Sequence, residues 1–329
     1  MMGRREFITL LGGAAAAWPL GAQAQQPEQP KRVGVLGGSA ESEFRSRFEL
    51  FRDRLAQLGW MESQNLRIDY RASDNKPGLI QAYARELISV GPDVILADPG
   101  PAAQALQELT RTIPVVFITS TDPVDAGYVQ SFAHPGGNMT GFTQFEASLN
   151  SKWLQLLKDV APTVTRVAVL RFGGIARARR DLVTIEEVAG SFAVTPIDLL
   201  AKDDPADIAR VINGFANLPN GGLIVPPSTV FQKHRGLVAA LAERHRLPAI
   251  YNNRLFVDGG GLMSYGADPL ESFRGAAGYV DRILRGVKPA DLPVQAPSKY
   301  ELVINLKTAK ALGLMISREF LLNADEVIE

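Results

Sequence analysis

Short apolar runs alternate with helices that carry one apolar face through nearly the whole chain, and that rhythm limits the fold more than any other feature. Val33-Gly34-Val35-Leu36 opens the series. Phe44, Phe48, Phe51, Leu55 and Leu58 come next at 4-3-4-3 spacing, the signature of a single helical face, which Gly59 closes. Residues 66–70 alternate as a strand, and Leu79, Tyr83 and Leu87 mark a helix stopped at Gly91-Pro92. Residues 93–97 form a strand, Ala103, Leu106 and Leu109 a helix face. Val115-Val116-Phe117-Ile118 is the uninterrupted run of a strand buried on both sides of a parallel sheet.

After His134-Pro135-Gly136-Gly137-Asn138 the pattern restarts. Leu149, Trp153, Leu156 and Val160 form a helix face at 4-3-4 spacing. Strands are expected at 167–170, 194–199, 223–225 and 249–251, with helices at 181–189 and around Ile208, Val211, Ile212 and Phe215, and a long helix over 229–246. A βαβα order of this kind implies parallel sheets with right-handed crossovers. Phe273, Ala277, Val280 and Leu284 supply another helix face, Pro289 and Pro293 interrupt the chain, residues 301–305 read as a strand, and a short helix over 307–312 ends at Gly313. The tail is too short for a third domain, so it is expected to cross back between the lobes. The expected fold is α/β: two doubly wound parallel-sheet lobes joined by a multi-strand hinge.

The first residues read as an address. Arg4-Arg5-Glu6-Phe7-Ile8 is a twin-arginine pair before an apolar residue, residues 10–18 form a short apolar segment, and Ala22-Gln23-Ala24 is a small-x-small cleavage site. The apolar segment falls short of the ~20 residues that span a bilayer. Residues 1–24 are therefore expected to be a Tat-type signal peptide, with cleavage after Ala24, and residues 25–32 a disordered Gln/Pro-rich lead-in. A retained anchor is the competing reading. The chain beyond the lead-in is long enough for two domains of the usual ~100–150 residues.

Composition narrows the function. The chain has no cysteine, which excludes disulfides, thiol nucleophiles, Cys-ligated metals and a lipid-modified cysteine. Export without lipidation points to the periplasm. Basic and acidic residues balance at 35 each, with no long basic block, so no nucleic-acid partner is expected. No later segment has the length and apolarity of a membrane span, so the mature form is not expected to be membrane-embedded. Three histidines occur, His134, His234 and His245, none in metal-binding spacing, and the last two are read onto one solvated helix face. Gly34-x-x-Gly37-Gly38 is not the dinucleotide fingerprint, and neither a P-loop nor a nucleophile elbow appears. No catalytic residue, metal or cofactor is expected.

Ligands of open parallel sheets bind beyond the carboxyl ends of the strands. Here those positions hold Ser39, Asp98, Ser120, Thr121 and Asp122 in the first lobe, Phe172, Ser228 and Asn252 in the second, and Tyr265 on the return segment. Hydroxyls suit a carboxylate, Asp98 and Asp122 suit an ammonium, and the aromatic rings suit a flat or apolar body. The set fits an amino acid or a related small organic or aromatic acid. Each residue also has an ordinary reading: Ser39, Ser120 and Asp122 as caps, Asp98-Pro99 as a turn, Phe172 and Tyr251 as core.

Several stretches add specificity. They are Ser120-Thr121-Asp122-Pro123-Val124, Pro135-Gly136-Gly137-Asn138-Met139-Thr140-Gly141, Gly260-Gly261-Leu262-Met263-Ser264-Tyr265-Gly266, and the tail from Lys288-Pro289-Ala290-Asp291 through Leu302-Val303-Ile304-Asn305. With the leader, these resemble the ABC transporter substrate-binding protein family whose better-known members bind tryptophan or tyrosine. The resemblance covers nearly the whole chain. It implies a fold like the type I periplasmic binding proteins, with crossings near Gly141, Leu262 and Pro293, and a hinge that closes on ligand. It also implies lobe one at 33–141 plus 263–290, lobe two at 142–262 plus 291–329, and a ligand region at Ser39, Ser120, Asp122 and Tyr265. Asp98-Pro99 departs from it, standing where small residues are usual, as does Phe172-Gly173-Gly174, where an Asn-Pro-rich turn is common. A small-molecule ligand, ABC permease subunits and a monomeric state are the implied partnerships. A sensor presenting ligand to a receptor kinase, or a Tat-exported cofactor enzyme, are the alternatives.

Overall fold

Successive residues of a strand point to opposite faces, so a strand that is apolar at every position must be covered on both. The first sheet meets that demand. The computed structural model describes residues 29–38, 41–74, 76–144, 148–173 and 176–329. The expected leader, most of the lead-in, and Ser39 lie outside the described residues. Strands β1 (Lys31–Gly37), β2 (Leu66–Ala72), β3 (Val94–Asp98), β4 (Val115–Thr119) and β5 (Met139–Thr143) pair in the order β2-β1-β3-β4-β5, all parallel. Val94, Leu96, Val116 and Ile118 face one core with Phe44, Phe51 and Leu55 of helix α1 (Glu41–Gln57) and with Phe273 and Val280 of the later helix Pro269–Leu284. Ile95, Ala97, Val115 and Phe117 face the other, under α2 (Pro77–Ser89) and α3 (Gly100–Leu109).

The second sheet is larger: β6 (Arg166–Phe172), β7 (Thr195–Ala201), β8 (Gly221–Val225), β9 (Ala249–Tyr251), β10 (Met263–Ala267), β11 (Tyr300–Asn305) and β12 (Glu326–Ile328). Their order is β12-β11-β10-β9-β8-β6-β7, and β10–β11 is the antiparallel pair. Val167, Val169 and Ile224 pack under α4 (Ser148–Val160) and α5 (Ala176–Ala189). Ala168, Leu170, Leu223 and Val225 pack under α6 (Pro205–Ala216), α7 (Thr229–Lys233) and α8 (Arg235–Arg244). The remaining helices are α9 (Arg254–Asp258), α10 (Pro269–Leu284), α11 (Leu306–Ala311) and α12 (Arg318–Leu321). Both sheets lie within one compact body, Lys31–Glu329.

Several sequence boundaries shift. β1 starts at Lys31, inside the expected lead-in, because its N–H donates to the Asn65 carbonyl at 2.9 Å and the Arg32 N–H donates to Asp93 at 2.8 Å. Residues 263–267, expected in lobe one, belong to the second sheet, where Met263 and Ser264 pair with Ile250 and Tyr251. Conversely Leu292 and Val294, expected in lobe two, are buried in the two cores of the first sheet. The chain therefore passes between the lobes after Thr143, after Ala267 and after Gln295. The long helix expected over 229–246 is two helices. They break at His234, whose ring shares a 2.8 Å hydrogen bond with Asp203, and His245 bonds Asn213 at 2.7 Å. Neither ring is a freely solvated face.

β5 is seated by a close approach. Gly141 holds φ of +155°, and a Cβ there would overlap the Phe117 carbonyl oxygen on the adjacent strand. Gly141→Ala must part β4 from β5 at the edge that leads into the first crossing. We expect a loss of about 3 kcal/mol or more, read as a lowered urea midpoint with unchanged slope.

Candidate functional site

The carboxyl ends of β3 and β4 face those of β8, β9 and β10 across a cavity of about 390 Å³. That volume lies in the range of small-molecule sites. Asp98 ends β3, and its carbonyl accepts a 2.6 Å hydrogen bond from the Gly38 N–H. The Asp98–Pro99 peptide is cis. Because β3 is buried along its whole length, the terminal carboxylate is buried with it, at 4% exposure. Its charged neighbour is Arg47 of α1, 3.6 Å away, an ion pair too long to count as a hydrogen bond. Among the described residues, Asp98 Oδ2 has no hydrogen-bond donor. Burial pushes the Asp98 carboxyl up to about 6, against the opposing pull of Arg47.

The expected site residues divide. Asp98, Ser120, Ser228 and Asn252 line the cavity. Thr121, Asp122, Phe172 and Tyr265 are not among its lining residues, and each has local business. The Thr121 hydroxyl lies 2.8 Å from that of Thr119. Asp122 Oδ1 caps the following turn, accepting from the N–H of Val124 at 2.9 Å and of Asp125 at 3.3 Å. Phe172 packs on the lobe-two core. Tyr265 stacks on Tyr300 with ring centroids 5.7 Å apart, and its carbonyl accepts the Trp153 indole N–H at 2.6 Å. Tyr251 is buried against Phe256, and burial raises its phenol.

Sequence reasoning missed the helical contributors. Arg47 and Trp153 line the cavity, as do Gln232 of α7 and Arg235 of α8. Arg47 left a signal: it falls three residues after Phe44 and four before Phe51, inside the apolar stripe, where a charge needs a reason. Trp153 was legible only as core, and it is buried to 2%. Ile118, Leu149 and Leu255 complete the apolar wall beside it. Gly266 lets β10 come close, since a Cβ there would overlap the Asn252 carbonyl oxygen.

No group of three or more His, Asp or Glu side chains is placed to hold a metal among the described residues, and no described helix is long and apolar enough to cross a membrane. The site is a charged, partly apolar recess between two lobes. Compared with known proteins, residues 44–328 match the profile of a family described as ABC transporter substrate binding protein. The chain belongs to that family. It is 25% identical over 262 residues to a tyrosine-binding protein of Clostridioides difficile, covering 79% of this chain and 74% of the relative. A conserved domain protein from Vibrio cholerae superposes with a TM-score of 0.84 at 26% identity, covering 91% of this chain and 100% of that one. A Streptococcus pneumoniae protein solved with L-Trp gives 0.83 at 24% identity, with the same coverage of both chains. This substrate-binding protein thus has the two-lobed fold that the alternation implied.

The Asp98 carboxyl carries a pH signature. The folded protein holds its proton more tightly than the unfolded chain, whose carboxyl titrates near 3.8. The associated stability is therefore full below pH 4 and lost as pH rises to about 6. Two units correspond to roughly 3 kcal/mol. Denaturant titrations of ligand-free protein across this window should show that fall, and Asp98→Asn should remove it. A variant with the wild-type slope would mean that Asp98 ionises freely.

Proposed function

We propose that this protein captures an amino acid, or a related small organic or aromatic acid, in the interlobe cavity and delivers it to the permease of an ABC importer. In this reading the chain is exported by its twin-arginine leader, cleaved after Ala24, and acts as a monomer in the periplasm. The observation that carries the cargo assignment is the buried Asp98 carboxylate beside Arg47, on a residue that lines a cavity with an apolar wall at Trp153. A carboxylate withdrawn from water with an unfilled acceptor site favours a charged donor, and an ammonium is the small-molecule group that supplies one. Arginine on the same cavity favours a carboxylate, and the apolar wall takes a hydrocarbon or ring.

Relatives support this choice. The Clostridioides difficile relative is a tyrosine-binding protein and the pneumococcal structure holds L-Trp, which favours aromatic amino acids among the candidates. Closure of two lobes on a bound zwitterion is a hinge motion of the kind that the three crossings permit. The closed form then shows the permease that cargo is aboard.

The reading is tested by a thermal-shift screen of the mature protein, unfolded and refolded to strip carried-over ligand. Amino acids, aromatic acids, purines and small carboxylates form the panel. Ligand at a hundredfold Kd adds about 2.7 kcal/mol, which moves the melting point by roughly 2–4 °C per kcal/mol. Saturable shifts confined to amino acids are expected, with the ligand recovered unchanged. Shifts from purines alone, or chemical conversion of the ligand, would remove the proposal.

A further inference from the structure

Two residues that line the cavity each bury a polar atom with no hydrogen-bond partner among the described residues, and they belong to opposite lobes. In lobe one it is Asp98 Oδ2, an acceptor; in lobe two it is Gln232 Nε2, a donor. Both atoms are buried, and a buried polar atom ordinarily has a partner.

The direction in which Gln232 presents its amide is fixed by a chain of one-way hydrogen bonds. The Leu255 backbone N–H can only donate, so the Asn253 atom 3.1 Å from it is the oxygen, Oδ1. Asn253 Nδ2 is then the remaining atom and can only donate. It lies 2.9 Å from Gln232, so the Gln232 atom that meets it is Oε1. That leaves Nε2 as the end without an acceptor. A flipped amide at either residue would put donor against donor.

Charge runs in the same sense across the cavity. The described lobe-one lining holds Arg47 with Asp74 and Asp98, and Asp74 is itself paired with Lys76 at 3.6 Å, so the acids of the cavity lie on this wall. The described lobe-two lining holds Lys233 and Arg235 and no acid. Lys233 is paired with Asp203 outside the cavity at 3.2 Å. Arg235 Nη1 donates to the backbone carbonyl of Gln232 at 3.0 Å, which ties its positive charge to the same residue. Arg47 lies 3.6 Å from Asp98 Oδ2, too far to fill it with a hydrogen bond.

We propose that cargo lies across the cleft with a fixed polarity, its ammonium on Asp98 in lobe one and its carboxylate on Gln232 in lobe two. This makes Gln232 a specificity-determining residue, and it rests on the reading of the cargo as an amino acid. Each lobe holds one charged end, so a ligand missing either end engages one lobe and does not hold the two together.

The test is a ligand-by-variant cycle measured by isothermal titration of the refolded mature protein. The probes are L-tyrosine, tyramine, which lacks the carboxylate, and hydroxyphenylpropionate, which lacks the ammonium. The same triplets are built on L-tryptophan and L-leucine. Asp98→Asn should weaken the amino acid and the amine by about tenfold or more, and leave the acid within about twofold. Gln232→Glu retains an acceptor for Asn253 and replaces only the donor. It should weaken the amino acid and the acid by about tenfold or more and spare the amine. Gln232→Leu and Asp98→Ser give the same partition if either first variant fails to fold. Acid binding unchanged by both Gln232 variants would overturn the polarity. So would an Asp98→Asn variant that penalises the acid as much as the amine, since the carboxylate would then sit on lobe one with Arg47. In both cases amino-acid binding by the wild type would still stand. If the wild type binds none of the three amino acids, the cargo reading falls and the polarity with it.

Discussion

Burial of the central strands on both faces is the constraint on which the rest of the molecule depends. Every residue of β3, β4 and β8 is buried, and alternate residues feed different cores. Each large apolar side chain so placed contributes roughly 1.5–3 kcal/mol, enough to impose helices above and below the sheet. Once both faces are covered, polar groups can meet a ligand only at the strand ends. Two sheets with their carboxyl ends opposed therefore make one recess lined from both. The burial that builds the core also withdraws Asp98 from water, because Asp98 is the last residue of a strand buried throughout.

Withdrawing that carboxylate has a cost. Desolvation outweighs the attraction of Arg47, which at 3.6 Å recovers only part of the loss. A sequence selected for stability alone would place an apolar or hydrogen-bonded residue at the end of β3. The retained acid, with Oδ2 unfilled, is the kind of local violation expected where function sets the residue. Its neighbours are organised differently. Thr119, Thr121, Asp122 and Tyr128 satisfy one another or nearby backbone, and the Tyr128 hydroxyl donates to the Gly100 carbonyl at 3.1 Å. A hydrogen-bonded loop thus follows β4 beside a recess in which the Asp98 acceptor is unsatisfied.

The layered architecture was legible because helix and strand periods differ and both were clean in this sequence. Residues 44–58 and 149–160 carried the helix period, and 115–118 the doubly buried strand. β5 and β10 were less readable. Their runs, Met139–Thr143 and Met263–Ala267, contain a glycine each and lack a clean strand alternation, although Gly141 and Gly266 are the residues that let neighbouring backbone approach. The strand-end rule found Asp98, Ser120, Ser228 and Asn252 in the cavity. It also gathered Thr121 and Asp122, since a cap and a ligand contact use the same residue types. Arg47 and Gln232 escaped because they reach the cavity from helices, where spacing describes the face that packs and says little of the end that points inward.

Gln232 also shows why such a residue cannot be read from a linear pattern. Its amide is oriented by Asn253, twenty-one positions on, and Asn253 is oriented by the N–H that it caps at the start of α9. A backbone donor that must be satisfied at a helix start propagates, through two side-chain amides, into a directed donor on the cavity wall. Lobe one ends its β3 strand in an acceptor, and lobe two ends this relay in a donor. The two walls differ in chemistry as well as in charge. Under the proposed polarity a ligand with complementary ends bridges the two walls, which ties recognition to both lobes at once.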